Sequence, residues 1–405
     1  MVNNLLIMNL HTHNFGDEAL GKALVNKLLS ENLFNKLDIL YTHNNEIKDK
    51  GFIEYDDETS ISQHASLKSS VLQKITIRVL LLLPFKLSRF LTKYSLYKRE
   101  AQLIESSDFI ISAPGGVNIG PYMDWTYLWR LYYAVKIGKK IAIYSISFGP
   151  LPSNKLFKKC SEYVLKNVNF LALRDQKSQK LAEEMKLNFI PSIDTTFLDN
   201  KNYSSLFENI NLNKPYVVIT PNELYRWHKK YQSFTEDRIT QIYLSIIAKL
   251  LNLDLNIVIL PHLFGYQYDD LYIEKIISRL PAKKNITTFQ SIQLNSDTVQ
   301  AIISNAEFVI GSRFHTIMFA IKYRVPFFAL SYEHKIMNTL TELNLENLAL
   351  DFYEELINEN DDSISQIVID TYKTRQNYVP ILENASDIAS NIAISVYEKL
   401  FKIIK

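Results

Sequence analysis

An arginine and a histidine two residues apart stand in GSRFHTIMFAI (311–321), where an apolar β-type run, AEFVI (306–310), hands over to an amphipathic helix. Arg313 carries a planar fork of donors suited to a carboxylate or a phosphate. His315 titrates near neutral pH and can serve as acid or base. Phe314, Ile317, Met318 and Ile321 fall at core spacing, which predicts that the polar pair points away from the helix's buried face. The structural alternative is an Arg313 paired with a buried carboxylate. After the next predicted strand, SYEHKIM (331–337) adds His334 and Lys335 on one more strand-to-helix loop.

Four further stretches repeat this placement of polar residues after an apolar run. HTHNFGDEAL (11–20) offers His11, His13, Asn14, Gly16 and Asp17. Asp17 is expected either to cap the helix that follows or to face a ligand together with Asn14, with the free helix amides receiving an anion. A His-x-His spacing can open a metal site, but no third ligand stands near, so no metal is expected. APGGVNIGP (113–121) is neither a dinucleotide fingerprint nor a P-loop. Its Gly115 and Gly116 let a ligand approach the backbone, and Asn118 is a polar tip; tight-turn geometry alone is the alternative. PNELYRWHKKY (221–231) carries Arg226 and His228, unless it is a solvated basic loop, and LPHLFG (260–265) carries His262. Cations, imidazoles and helix amides gathered at strand ends make a site for a small polyanion with a proton-transfer residue beside it.

The elements that would hold these residues alternate between strand and helix. LLIMNL (5–10), LDILYTH (37–43), DFIISAPGG (108–116), KKIAIYSISFGP (139–150) and NFLALRD (169–175) read as strands of continuous apolar character, as in a parallel sheet covered on both faces. After a polar break at about 195–214 the pattern restarts with PYVVITPN (215–222), NIVILPHLFG (256–265), AEFVIGSRFH (306–315) and PFFALSY (326–332), and the tail from about 363 to 403 reads as one or two helices. The expectation is an α/β chain of two Rossmann-like domains, 1–200 and 201–405, facing a cleft, with the terminal helices in the second. Only ten glycines occur in 405 residues, and seven of them (16, 115, 116, 120, 149, 265, 311) follow a predicted strand, where open α/β sheets bind ligands.

Composition narrows the remaining classes. A net charge of +2 gives no field for nucleic acid, and no nucleic-acid module is visible. The single cysteine, Cys160, excludes an intrachain disulfide framework and suits a reducing compartment, so a cytoplasmic location is expected. The start, MVNNLLIMNL, does not read as a signal peptide, and no apolar run is long enough to span a bilayer. Within 65–99 lies a basic amphipathic segment: from Thr59 to Arg99 there is no acidic residue, while Lys68, Lys74, Arg78, Lys86, Arg89, Lys93, Lys98 and Arg99 interleave with Leu, Ile and Phe. It suits a helical pair on the inner face of an anionic membrane, or else a buried helix with a basic outer face.

NFGDEAL, the APGG turn, LALRDQKSQKLAEE followed by SIDTTFL, and GSRFHTIMFAI with ALSYEHK resemble, in order and from about 10 to 340, the polysaccharide pyruvyl transferase family. The Gly-x-Arg-x-His helix start is the most specific element. The resemblance implies a GT-B-type fold and transfer of the enolpyruvyl unit of phosphoenolpyruvate onto two sugar hydroxyls. A cyclic ketal forms and phosphate is released, with no metal or cofactor and with phosphoenolpyruvate as donor substrate. It places donor binding on Arg313 and His315, with Phe314 contributing backbone and a further family arginine falling on Arg226. The acceptor, a polysaccharide sugar or its lipid-linked precursor, would lie on the first domain's side, and Asp17 would serve as base. Family members often read aspartate-proline where this chain has Asp194-Thr195. A GT-B glycosyltransferase using a nucleotide sugar is the competing enzyme reading, although its paired glutamates with seven residues between them are missed, since Glu333 and Glu342 have eight between them. A non-catalytic polyanion- or membrane-binding protein is the third.

Overall fold

The computed structural model describes the chain apart from residues 1, 12, 33, 43–51, 58, 67–69, 117, 211, 213, 265–268, 282 and 359–360, and apart from the side chain of Ser204. Gly265 and Lys68, singled out above, lie outside the described residues. The chain forms two compact units: Met1–Thr12, Leu20–Asp199 and Asn391–Lys405 make the first, His13–Ala19 and Asn200–Ser390 the second. Both are all-parallel sheets with helices, the α/β class expected.

The first sheet runs β3-β2-β1-β4-β5-β6-β7, with β1 Val2–Leu10, β2 Phe34–Tyr41, β3 Ile61–His64, β4 Phe109–Ser112, β5 Lys140–Ile146, β6 Phe170–Leu173 and β7 Ile190–Pro191. Its central strands β1, β4, β5 and β6 are apolar without alternation over their buried residues because both faces are covered. Leu6, Met8, Ile110, Ile141 and Ile143 pack into one cluster with the helices Val71–Leu82, Lys98–Ser106, Trp125–Lys136 and Lys155–Asn167, while Leu5, Ile7, Phe109, Ile111 and Ala142, which point the other way, are buried too. Each such side chain contributes about 1.5–3 kcal/mol, except alanine, which contributes less. The order reverses between β1 and β4. There β1 bulges at Asn9, whose φ of 67° leaves the β region. Asn9 is fixed by Arg130, which is wholly buried on helix Trp125–Lys136 and spends all five donors. It makes two hydrogen bonds to Glu100 (2.8 and 3.0 Å), one each to Asn9 Oδ1 (3.1 Å) and the Tyr41 carbonyl (3.0 Å), and one to Ser66 (3.0 Å). The ends of β1 and β2 are thereby locked, which positions the loop after β1.

The second sheet runs β10-β9-β8-β11-β12-β13, with β8 Tyr216–Thr220, β9 Asn256–Ile259, β10 Ile286–Thr288, β11 Phe308–Gly311, β12 Phe327–Ser331 and β13 Ala349–Asp351. Its reversal lies between β8 and β11, where Gly311 pairs with Thr220. The four short outer strands β3, β7, β10 and β13 escaped the sequence reading, because two to four residues of mixed polarity give no period to detect. The tail forms Asp361–Lys373 and Val379–Ile404. Residues from Asn391 onward group with the first unit. There Lys27 Nζ lies 5.4 Å from the centre of the Tyr397 ring, and the Tyr397 hydroxyl donates to the Lys27 carbonyl.

Candidate active site

In the second unit, β11 ends at Gly311 and Ser312 and Arg313 lead into helix Phe314–Lys322. Gly311 is required by close approach: a Cβ there would lie 2.5 Å from Ile317 Cδ1 and 3.3 Å from Thr316 Cγ2, both in the helix folded back on it. The turn is held by its neighbour strand. Asn222, just past β8, donates to the Ser312 carbonyl (3.2 Å) and accepts from Trp227 Nε1 (3.1 Å), while Tyr243 and Ser312 share a hydroxyl hydrogen bond of 2.6 Å.

Arg313 is only 5% exposed and donates through Nη2 to Asp269 Oδ1. The carboxylate pairing kept above as the structural alternative therefore exists. Asp269 is itself anchored, its Oδ2 accepting from the backbone amides of His262 and Leu263 at 2.8 Å each. The guanidinium carbon lies 6.0 Å from the Trp227 ring centre. This pair fixes the fork without using it up. Nε of Arg313 is buried and has no hydrogen-bond partner among the described residues, and neither do the hydroxyls of Thr220 and Thr316 or Nδ1 of His228. A buried donor left without an acceptor costs about 1–3 kcal/mol, so this cluster is suited to a polar ligand or water.

His315 sits in the first turn of helix Phe314–Lys322, buried, its ring stacked on that of His262 with centroids 5.9 Å apart and planes at 16°. Burial first, and then the neighbouring His315 ring and Arg313 guanidinium, hold the His262 imidazole well below its ordinary range, so His262 is neutral at physiological pH. His315 also meets Gly16: a Cβ on Gly16 would stand 1.9 Å from His315 Nδ1 and 2.0 Å from Cγ. The segment around Gly16 is clipped in place by β-type bonds, Phe15 N to the His262 carbonyl and Phe264 N to the His13 carbonyl, both 3.2 Å, with Phe15 against Phe264 at 4.7 Å. Glu18 accepts from Ser296 N (2.8 Å). These contacts are why His13–Ala19 belongs with the second unit although its flanks belong to the first.

Asn14, not Asp17, is the cap of helix Phe15–Ser30. Asn14 Oδ1 accepts from Asp17 N at 2.7 Å, and Asn14 Nδ2 donates to Asp17 Oδ2 at 2.6 Å. The side chain of Asp17, three residues in, closes this box. Arg226 is not brought to the cluster: it lies on the short helix Leu224–Trp227, 47% exposed, and pairs with Glu223 at 2.9 Å. Lys335 lies over the Phe314 ring at 3.8 Å. The helices Phe314–Lys322 and His334–Glu342, which leave β11 and β12, start without a side-chain cap. By contrast Asp124, Asn154, Asp175, Thr235 and Asn295 cap their helices. Uncapped amides at strand ends can take an anion.

The first unit holds the remaining expected residues. Asn118 Nδ2 donates to His11 Nε2 at 2.8 Å, a Cβ on Gly115 would lie 3.6 Å from His11 Cδ2, and Gly116 faces open space. In the same unit Arg174 and Asp194 form a buried pair at 2.6 Å. Asp194 also accepts from Thr196, so the SIDTTF stretch is tied to the sheet by Asp194, with Thr195 in the following turn.

Sequence reasoning missed Asp269, Asn222 and Trp227. An acid at the start of a predicted helix reads as a cap, and nothing local shows that Asp269 turns back to amides and a guanidinium instead.

The chain is similar to known proteins over most of its length. Over 377 residues the chain is 22% identical to the amylovoran biosynthesis protein AmsJ of Erwinia amylovora, covering 86% of this chain and 87% of the relative. Among solved structures, a putative UDP-N-acetylglucosamine 2-epimerase from Listeria monocytogenes superposes with a TM-score of 0.60 at 12% identity, covering 97% of this chain and 94% of the other. UDP-GlcNAc 2-epimerase from Neisseria meningitidis does so with a TM-score of 0.57 at 14% identity, covering 98% and 100%. These likenesses establish the two-domain, GT-B-like fold and nothing of the reaction. The polysaccharide pyruvyl transferase family profile matches residues 14–334, which take in the Asn14 cap, Gly16, Asp269, Arg313 and His315, and the chain therefore belongs to that family.

Proposed function

We propose that this protein transfers the enolpyruvyl unit of phosphoenolpyruvate to two hydroxyls of a polysaccharide sugar, or of its lipid-linked precursor, releasing phosphate. The observation that carries the reading is the fixed, buried Arg313 with Nε unspent, at the uncapped start of the helix that bears His315. Phosphoenolpyruvate is a small trianion at most, with one carboxylate and one phosphate, and a rigid fork beside free amides suits such a ligand.

In the proposed sequence a proton adds to C3 of the enol, turning the methylene into a methyl and leaving an oxocarbenium-like centre at C2. A sugar hydroxyl bonds to C2 and loses its proton. The C2–O bond to phosphate breaks with its electron pair, and the second hydroxyl bonds to C2 to close the ketal, its proton passing to the departing phosphate. His315 supplies or guides the proton to C3. Arg313 and the amides at Phe314 and His315 hold the anionic oxygens as charge redistributes. Asp17, half-buried and held by Asn14, takes the hydroxyl proton. Neutral His262 supports His315 by stacking without adding a charge of its own. Arg226 and Lys335 are proposed as outer cations, and Arg226 must leave Glu223 to act.

The test is product analysis with phosphoenolpyruvate and a glycan carrying a free diol. Phosphate release that needs both substrates, and that falls about a hundredfold or more in His315→Asn, is the expected result. Release of a nucleoside diphosphate from a nucleotide sugar, with phosphoenolpyruvate inert, would replace this reading by glycosyl transfer.

A further inference from the structure

Ten of the twenty exposed large apolar side chains among the described residues fall between Val71 and Leu96, all in the first unit. They are ordered. Helix Val71–Leu82 turns Gln73, Ile77, Leu80 and Leu81 inward. Val71, Leu72, Ile75, Val79 and Leu82 form the opposite stripe, with Val71 75% and Leu82 69% exposed. After Pro84 the helix Phe85–Thr92 buries Ser88 and Thr92 and turns Leu87, Phe90 and Leu91 outward, followed by Tyr94 at 77%. A Ser70–Gln73 capping box starts the first helix, and Ile77, Leu80 and Leu81 root it in the core, so the stripe exists before any partner arrives. Apolar surface on this scale is uncommon on a protein that stays in water.

The charges bordering the stripe choose its partner. No acid lies between Thr59 and Arg99. Arg89 is tied to Glu105 and Arg99 to the His64 ring, and Arg78 lies over Trp125 at 4.9 Å. Lys74 and Lys86 make no ion pair with a described residue, Lys93 acts on Glu105 only through space, and all three lie within one turn of the outward apolar positions. A second copy would bring lysine against lysine, and a nucleic-acid backbone would leave the leucines wet. Anionic lipid matches both features, with acyl carbon for the stripe and headgroup phosphates for the lysines. We propose that the face formed by Val71–Tyr94 docks on the surface of an anionic bilayer. This inference is independent of the donor chemistry above.

Co-sedimentation of the full chain with vesicles of phosphatidylglycerol and phosphatidylcholine, against phosphatidylcholine alone, is the test. Binding should favour the anionic vesicles and weaken with salt. The set Lys74→Ser, Lys86→Ser and Lys93→Ser should lose about tenfold or more in affinity. The set Leu72→Asn, Leu82→Asn and Phe90→Asn should lose a comparable factor while melting like the parent. Failure to sediment with either vesicle, or binding that neither set alters, overturns the proposal. So does a lipid-free dimer dissolved by the leucine and phenylalanine substitutions, which would make this face a contact between copies.

Discussion

Arg130 in the first unit and Arg313 in the second are both buried, both paired with a carboxylate and both placed near the reversal of a parallel sheet. Arg130 has five donors and five acceptors supplied by the protein. Arg313 has one carboxylate, one aromatic face and an Nε with no partner among the described residues. Burial and charge alone do not mark a binding residue. The count of unspent donors separates a spent strut from a residue with a donor left to offer.

Exchange experiments should separate the two arginines. Arg130→Met leaves Glu100 buried without its cation and should cost about 3–5 kcal/mol of stability, read by denaturant unfolding. Arg313→Lys keeps a cation beside Asp269 but loses the fork, so activity should fall about a hundredfold, with much less change in stability. If Arg313→Lys unfolds the chain as Arg130→Met does, the contrast is wrong.

Gly16→Ala sharpens the same contrast. Alanine is favoured over glycine inside a helix by about 1 kcal/mol, yet its Cβ would fall 1.9 Å from His315 Nδ1. The clash should dominate, with a net loss of about 1–2 kcal/mol and a displaced His315 seen as lost turnover. A more stable, fully active variant would show that His315 has freedom the packing denies it.

pH gives the third handle. The folded chain keeps His262 neutral, whereas the unfolded chain protonates it below about pH 6.5. The unfolded state then holds the extra proton, so the stabilisation is complete above that pH. It declines as pH drops below it, by up to about 1.4 kcal/mol per pH unit until the folded-state pKa is reached. His262→Gln should flatten that slope in unfolding measured between neutral and mildly acidic pH. The smallest effect is on Cys160: burial pushes its thiol up to about 11, so alkylation in native conditions should be slow and should follow opening of the first unit.

Much of the second-unit site was legible because strand and helix periods are strong there and glycine is scarce. Gly16, Gly311, Arg313 and His315 stood out by type and position. What they touch did not. That Gly16 packs on His315, nearly three hundred residues away, depends on the pairing of Phe15 with His262 across two strand ends, which no local pattern encodes. Asn14 and Asp17 are equally good caps by residue type, and only helix start geometry decides between them. Arg226 follows from the family resemblance and its place after a strand end, but Glu223 one turn earlier pairs with it. Arg130 was invisible, sitting in an aromatic helix with partners brought from four other elements.

Calorimetric titration of phosphoenolpyruvate into the intact chain and into Arg313→Lys is the most direct measurement. The account predicts binding to the former and at least about tenfold weaker binding to the latter, with Tyr243 and Asp269 left in place in both. Equal affinity in the two proteins, or no binding to the intact chain alongside clear binding of a nucleotide sugar, would contradict it.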